Sequence, residues 1–330
     1  MSDSSKFPAR PEKPRAGLQR SPARHRQAEP VKTSRRTALQ LLAGGATGAV
    51  LWWQSDAWWP ARKKLDPQIL LQHPTGIVPP VKQAESPAKV TPAAAQTLTA
   101  ERFEAAVAQA QTQTPTSFGL DLPGILQRQG DTYAYLTLDL CGGPGGEQLD
   151  TELVDFLVAQ QIPATFFVNL RWIEANPQLF ADLAANPLFL IANHGSKHAP
   201  VTVRAQDAYG IMGTASAQEA AEEVTRNHRR IFELTGVEPK FFRSGTAHYD
   251  DVGVSLVQAL GEVPVGFSIN ADGGATFSAQ QVAQQLLLTA PGDIIIAHAN
   301  RPGSGTAAGM RQGLVEARSR GVQFATLTQV

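Results

Sequence analysis

A small set of polar residues between positions 139 and 298 has the types and settings to do hydrolytic chemistry. His194-Gly195-Ser196-Lys197-His198 is a histidine pair four residues apart. On one helical turn both imidazoles would face the same way and could share a metal ion. Asp139 ends an apolar run and is followed by Leu140, Cys141 and the stretch Gly142-Gly143-Pro144-Gly145-Gly146. Glycines let a backbone approach a ligand closely. No Lys-Ser/Thr follows them and their spacing is not that of a dinucleotide fold, so phosphate-loop readings fail. His298 follows Ile294-Ile295-Ile296-Ala297, and histidine has the right pKa range for general acid work near neutrality. Arg243 leaves Phe241-Phe242. An arginine buried there needs a carboxylate partner, and Asp139 is the obvious one. Each residue also has a bland reading: unrelated loop histidines, a turn-capping aspartate, a hydrogen-bonded core histidine. Position raises the functional readings above these. His25, His73 and His228 are read as bland, the first two in tail and linker, the third in a charged helical stretch.

The elements that must position these residues alternate between strand and helix type. Apolar, β-rich segments lie at 133–139, 163–168, 188–192, 240–243, 264–270, 293–297 and 322–327. Several are continuous apolar runs, as expected of parallel strands buried on both faces. Helical patterns fall near 98–112, 147–160, 174–185, 216–235, 249–260, 278–289 and 305–320. The clearest is 216–235, where Ser216 could cap, Glu219 stands at capping-box spacing and Gly236 ends the run. Alternating βα units imply a parallel sheet or a barrel; seven strand segments favour the barrel over an open sheet, so the expected fold is α/β, a distorted (β/α) barrel of about seven parallel strands over 131–330. Asp139, His194, His198, Arg243, Asn270, Asp272 and His298 all end or follow strands. Barrel enzymes build their sites from the loops at the C-terminal ends of strands, so residues scattered in sequence are predicted to meet on one rim.

Taken in order, Thr137-Leu138-Asp139, His194-x-x-x-His198, Arg243-Ser244-Gly245-Thr246-Ala247, Gly266-Phe267-Ser268-Ile269-Asn270-Ala271-Asp272 and Ile296-Ala297-His298 resemble the motifs of the polysaccharide deacetylases, carbohydrate esterase family four. Five ordered motifs are far more specific than any one of them. The resemblance implies a divalent metal, usually zinc, with His194 and His198 as histidine ligands. It implies Asp139 as the base that takes a proton from the attacking water, with direct metal ligation as a further role. Arg243 would orient that base, His298 would protonate the leaving amine, and Asp272 would tune His298. A backbone N–H near Thr246 would help hold the oxyanion. The sequence departs from the pattern at Leu140, where the family usually carries a second, metal-binding aspartate. The third motif lacks its usual proline and tyrosine, and Phe267 and Asn270 stand where Trp and Asp are common. Cys141, Asp250, Asp251 and His248 are candidates for the missing ligand, and a zinc-bound thiolate from Cys141 is chemically attractive. The departures mark a divergent subgroup.

The chain has 330 residues, 29 basic and 29 acidic, with 42% hydrophobic. Global disorder and collagen-like repeats are excluded. A single cysteine excludes an internal disulfide and a four-cysteine zinc site. The neutral total hides a basic arm: residues 1–36 hold ten Lys/Arg against three acids. Ser34-Arg35-Arg36-Thr37-Ala38-Leu39 resembles a twin-arginine export signal, and 37–53 carries no charge. Ser55-Asp56-Ala57 could be a cleavage site; otherwise the segment stays as an inner-membrane anchor, with Trp52, Trp53, Trp58 and Trp59 at the interface. The predicted organisation is a basic arm with signal peptide or membrane anchor over 1–59, a Pro/Ala-rich linker over 60–97, a short helical lead-in over 98–130 and the barrel over 131–330. The expected protein is exported, periplasmic or anchored to the outer face of the cytoplasmic membrane. It would be a metal-dependent hydrolase removing N-acetyl, or O-acetyl, groups from a polysaccharide such as peptidoglycan or an exopolysaccharide. The rival readings are an inactive carbohydrate-binding relative and a small-molecule amide hydrolase on the same fold. No nucleic-acid partner is expected, because the basic arm is accounted for by export.

Overall fold

The computed structural model of the protein describes residues 98–328. The basic arm, the twin-arginine-like segment with 37–53, and the Pro/Ala-rich stretch 60–97 lie outside the described residues. The chain runs α1 (Ala100–Gln111), β1 (Phe118–Gly119), β2 (Tyr135–Leu140), α2 (Thr151–Ala159), β3 (Ala164–Val168), α3 (Leu170–Ala175), α4 (Pro177–Ala185), β4 (Phe189–Asn193), α5 (Ala217–Thr235), β5 (Phe241–Phe242), β6 (Tyr249–Asp250), α6 (Asp251–Leu260), β7 (Val263–Pro264), β8 (Ile269–Asn270), α7 (Ala279–Leu286), β9 (Ile294–His298) and α8 (Thr306–Ser319).

Seven strands form one sheet in the order β7-β5-β4-β3-β2-β9-β8, and every pairing in it is parallel. The central strands are buried along their whole length, which is why they read as unbroken apolar runs. Side chains alternate between two layers. Leu136, Leu138 and Leu140 of β2 face an outer layer with Leu153, Leu157, Trp172, Met310 and Leu314 from the helices. Tyr135 and Phe167 face inward with Ala192, Phe241, Val265, Ile294 and Leu327.

The strand count matches expectation, but two predicted strands resolve differently. The segment 264–270 is not one strand. β7 pairs with β5 at one edge of the sheet, while β8 pairs with β9 at the other. The chain between them crosses the gap between the two edges, so this segment changes partner and draws the sheet into a barrel. The predicted strand 322–327 makes a single bridge, Ala134 to Phe324. It pairs just ahead of β2, and its Leu327 then turns into the lumen, where its N–H donates to Thr165 Oγ1. The predicted helix 174–185 divides at Asn176-Pro177, because Pro177 cannot continue α3 but suits the first turn of α4. α5 behaves as read: the Ser216 side chain accepts from the Glu219 N–H, and Gly236 ends the helix with φ 70°.

Candidate active site

β2, β4, β5, β8 and β9 deliver their C-terminal ends to one rim. Asp139 pairs in register with His298 across β2 and β9. Asn193 pairs with Phe242 across β4 and β5, placing His194 beside Arg243. The rim convergence expected from the strand endings is therefore present.

Arg243 is fully buried. Its Nη1 donates to Asp139 Oδ1 at 2.7 Å and its Nη2 to the Gly266 carbonyl at 2.9 Å. Its guanidinium lies 4.2 Å from the Phe167 ring centroid. The partnership predicted for a buried arginine is thus made. Burial pushes the Asp139 carboxyl up, but Arg243, His194 and His298 together pull it below its usual value. It is a carboxylate at neutral pH.

His194 donates from Nδ1 to the Arg243 carbonyl at 2.9 Å. A carbonyl can only accept, so the proton sits on Nδ1 and Nε2 is turned toward the rim. There Nε2 lies 3.6 Å from Cys141 Sγ and 3.6 Å from Asp139 Oδ2. His198 brings its ring centroid to 5.0 Å from that of His194, at 88°. Its Nε2 is buried and without a partner. The two histidines do not share a helical turn. They flank an irregular loop in which Gly195 (φ 75°) and His198 (φ 64°) take left-handed conformations. Loop geometry, not helical periodicity, makes them converge.

Donor atoms of Cys141, His194 and His198 lie within 4.8 Å of one another. Burial raises the Cys141 thiol, but His198, His194 and His298 around it outweigh burial and hold it well below its ordinary value. A thiolate, two imidazoles and an orphaned buried nitrogen are a donor set that fits a divalent, zinc-like ion. Leu140 takes no part: it is fully buried in the outer layer with Leu138. Cys141 continues the parity of Asp139, and so returns to the rim. The other candidate ligands are occupied elsewhere. Asp250 caps α6 and accepts from the Val203 N–H, Asp251 holds Thr116 and Ser117, and His248 donates from Nδ1 to the Thr246 carbonyl.

On the other side of Asp139, His298 Nδ1 donates to Asp272 Oδ1 at 3.0 Å. Asp272 is fully buried and also accepts from the His298 N–H, the Gly274 N–H and the Thr306 hydroxyl. Burial lowers the His298 pKa, and Asp272 and Cys141 more than reverse this, raising it well above 6.5. Burial likewise raises Asp272, but His298 brings it below its ordinary value. Thr246 stands in the loop whose Gly245 packs against the His198 backbone, and its hydroxyl is buried without a partner.

Several supporting residues carry no sequence signal of their own. Tyr249 is fully buried; its hydroxyl accepts from the Ser244 N–H and donates to the Phe242 carbonyl, fixing the end of β5. Glu223 of α5 holds the loop between the two histidines. Thr306 steadies Asp272. His228, read as bland, is buried and paired with Glu262 at 2.8 Å, which in turn accepts from Asn193 Nδ2. It supports the end of β4 and stays outside the site.

Residues 127–265 match the family model for polysaccharide deacetylase. Among solved structures, the chain is similar to a CE4-family pseudoenzyme from Bacillus anthracis, 16% identical, with a TM-score of 0.52, covering 63% of this chain and 68% of that one. It is equally similar to a mutant of a CE4-family pseudoenzyme with restored enzymatic activity: 18% identity, TM-score 0.52, 63% and 71% covered. A peptidoglycan N-acetylglucosamine deacetylase is 20% identical, with a TM-score of 0.51, over 61% of this chain and 89% of that one. Likenesses at these identities show a shared fold. No curated protein matches the chain.

Proposed function

We propose, from the match of residues 127–265 to the polysaccharide deacetylase family model, that the protein is a member of that family and a metal-dependent hydrolase removing acetyl groups from an N-acetylated polysaccharide. The observation that carries this reading is the Cys141–His194–His198 donor set, flanked by the Asp139–Arg243 pair and the Asp272–His298 pair. An ion held by those three side chains would supply Lewis acidity to the acyl carbonyl and make water acidic near neutrality. Zinc suits a thiolate and two imidazoles best.

The chain's own residues then divide the proton work. Asp139, kept ionised and aimed by Arg243, takes the proton of the attacking water. A backbone N–H near Thr246 would help hold the developing oxyanion in this assignment. His298, kept protonated by Asp272, hands its proton to the departing nitrogen. Water and an N-acetyl amide become acetate and a free amine, so the protons balance without another reactant. An O-acetyl ester would follow the same course to an alcohol.

Peptidoglycan or an exported polysaccharide containing N-acetylhexosamine suits this chemistry. The site belongs outside the cytoplasm if Arg35-Arg36 and 37–53 act as an export signal or anchor. Cell fractionation of wild type against an Arg35→Lys/Arg36→Lys variant checks that, with retention in the cytoplasm expected for the variant.

Acetate release from N-acetylglucosamine oligomers tests the activity. Wild type is expected to release acetate, and His298→Ala to lose it by about 100-fold or more. Leu140, where the family usually has a carboxylate, favours a second reading: a carbohydrate-binding protein without turnover. Binding of the oligomers with no acetate from any N- or O-acetylated glycan would establish that reading. Turnover of small amides alone would instead assign a small-molecule amide hydrolase.

A further inference from the structure

The loop from His194 to His198 carries two of the proposed ligands yet has no regular structure. Left to itself, such a loop leaves backbone N–H groups unsatisfied and its histidines free to wander. Glu223, on α5, is 1% exposed, and both of its oxygens point into this loop. They accept from the Lys197 N–H at 3.0 and 2.8 Å, from the Ser196 hydroxyl at 2.8 Å and from the Ala199 N–H at 3.3 Å. Gly195 is packed so tightly against the carboxylate that a Cβ there would overlap it. One helical turn along, Asn227 donates to the Val168 carbonyl and to Asn193 Oδ1, which accepts from the Gly195 N–H. One face of α5 thus holds the start of the loop through Asn227 and its body through Glu223.

A buried carboxylate is costly unless hydrogen bonds repay its lost hydration. Glu223 recovers this from the loop it holds, accepting from the Ser196 hydroxyl and from the Lys197 and Ala199 N–H groups. The geometry points to Glu223 as a positioning residue that fixes the His194–His198 loop so that both imidazoles meet Cys141. The inference rests on the metal reading above and adds a residue outside the ligand set that governs its affinity. Residues that orient ligands from behind typically change metal affinity 10- to 100-fold when removed.

Cobalt(II) titration of the full-length protein tests this, reading the dissociation constant and the visible ligand-field spectrum. Glu223→Gln puts an amide N–H among loop N–H donors. It is expected to raise the cobalt dissociation constant about 10- to 100-fold and to shift the spectrum. Ser196→Ala, which removes one donor and keeps the carboxylate, should raise it by a smaller factor and serves if Glu223→Gln does not fold. Gly309→Ala, far from the loop in the α7–α8 contact, should lower Tm with the dissociation constant unchanged, separating positioning from general destabilisation. Wild-type affinity and spectrum in the Glu223 and Ser196 variants would overturn the inference. A wild-type protein that takes up no cobalt would instead overturn the metal reading, and this inference with it.

Discussion

Asp139 and Arg243 form a buried pair in which each partner makes the other tolerable. Removing one partner of such a pair leaves an uncompensated charge and costs about 3–5 kcal/mol. Arg243→Met is therefore expected to lower stability by that order in urea unfolding and to abolish acetate release. The Asp272–His298 pair gives a pH prediction with a definite sign. Asp272 holds His298 well above 6.5, so the acid form persists through neutrality and kcat falls as pH rises through the raised value. Asp272→Asn lowers that pKa, and the alkaline limb of the kcat profile should move to lower pH. The same raised pKa adds stability that is full below 6.5 and is lost as pH rises through the folded-state value. Urea titrations should show that alkaline loss in wild type and a smaller one in Asp272→Asn. An alkaline limb unmoved by Asp272→Asn would show that His298 is not the titrating acid. At this scale the convergence of the candidate residues was largely legible in the sequence. Asp139, His194, Arg243 and His298 end or directly follow strands, Asp272 and His198 lie in the loops just beyond, and strand endings share a rim. Cys141 was legible only as a candidate, because parity at the end of β2 decides whether position 140 or 141 faces the site. Glu223, Thr306 and Tyr249 were not legible, since a carboxylate or a hydroxyl gives no sign in the sequence of what it will hold.

Helix caps and strand runs were readable because they depend on neighbours in sequence. The Ser216 cap and the Gly236 stop of α5 are local chemistry. The division of 264–270 into two strands at opposite edges was not readable, because it is the closure of the whole sheet that pulls those residues apart. Nor was the left-handed turn at His198, which Gly195 and the contact with Gly245 permit. Two glycine predictions belong here. A Cβ at Gly245 would overlap the His198 backbone, so Gly245→Ala should cost about 1–3 kcal/mol and weaken metal uptake together. A Cβ at Gly309 would overlap Val282 on α7, in a contact that also uses Gly313 against Leu286. Gly309→Ala should cost a similar amount in thermal unfolding while leaving kcat unchanged. A Gly245→Ala variant with normal metal content would detach that loop from the site.

For the whole molecule, one sheet serves both stability and chemistry. Its outer face is an apolar layer under the helices and its inner face carries the charged rim. Leu140 shows how closely the two are linked: the position belongs to the outer layer, and the next residue, Cys141, supplies a donor to the rim. Residues 98–330 contain both layers, and that fragment, expressed alone, is expected to fold cooperatively and to release acetate as the full chain does. The most direct test of the central claim is a spectrum. Cobalt(II) added to the full-length protein and to Cys141→Ser should give about one ion per wild-type chain, with a thiolate-to-cobalt charge-transfer band in the near ultraviolet. That band should be absent and affinity reduced in Cys141→Ser. A wild-type protein that binds no cobalt, or binds it with a spectrum identical to that of Cys141→Ser, would contradict the Cys141–His194–His198 site.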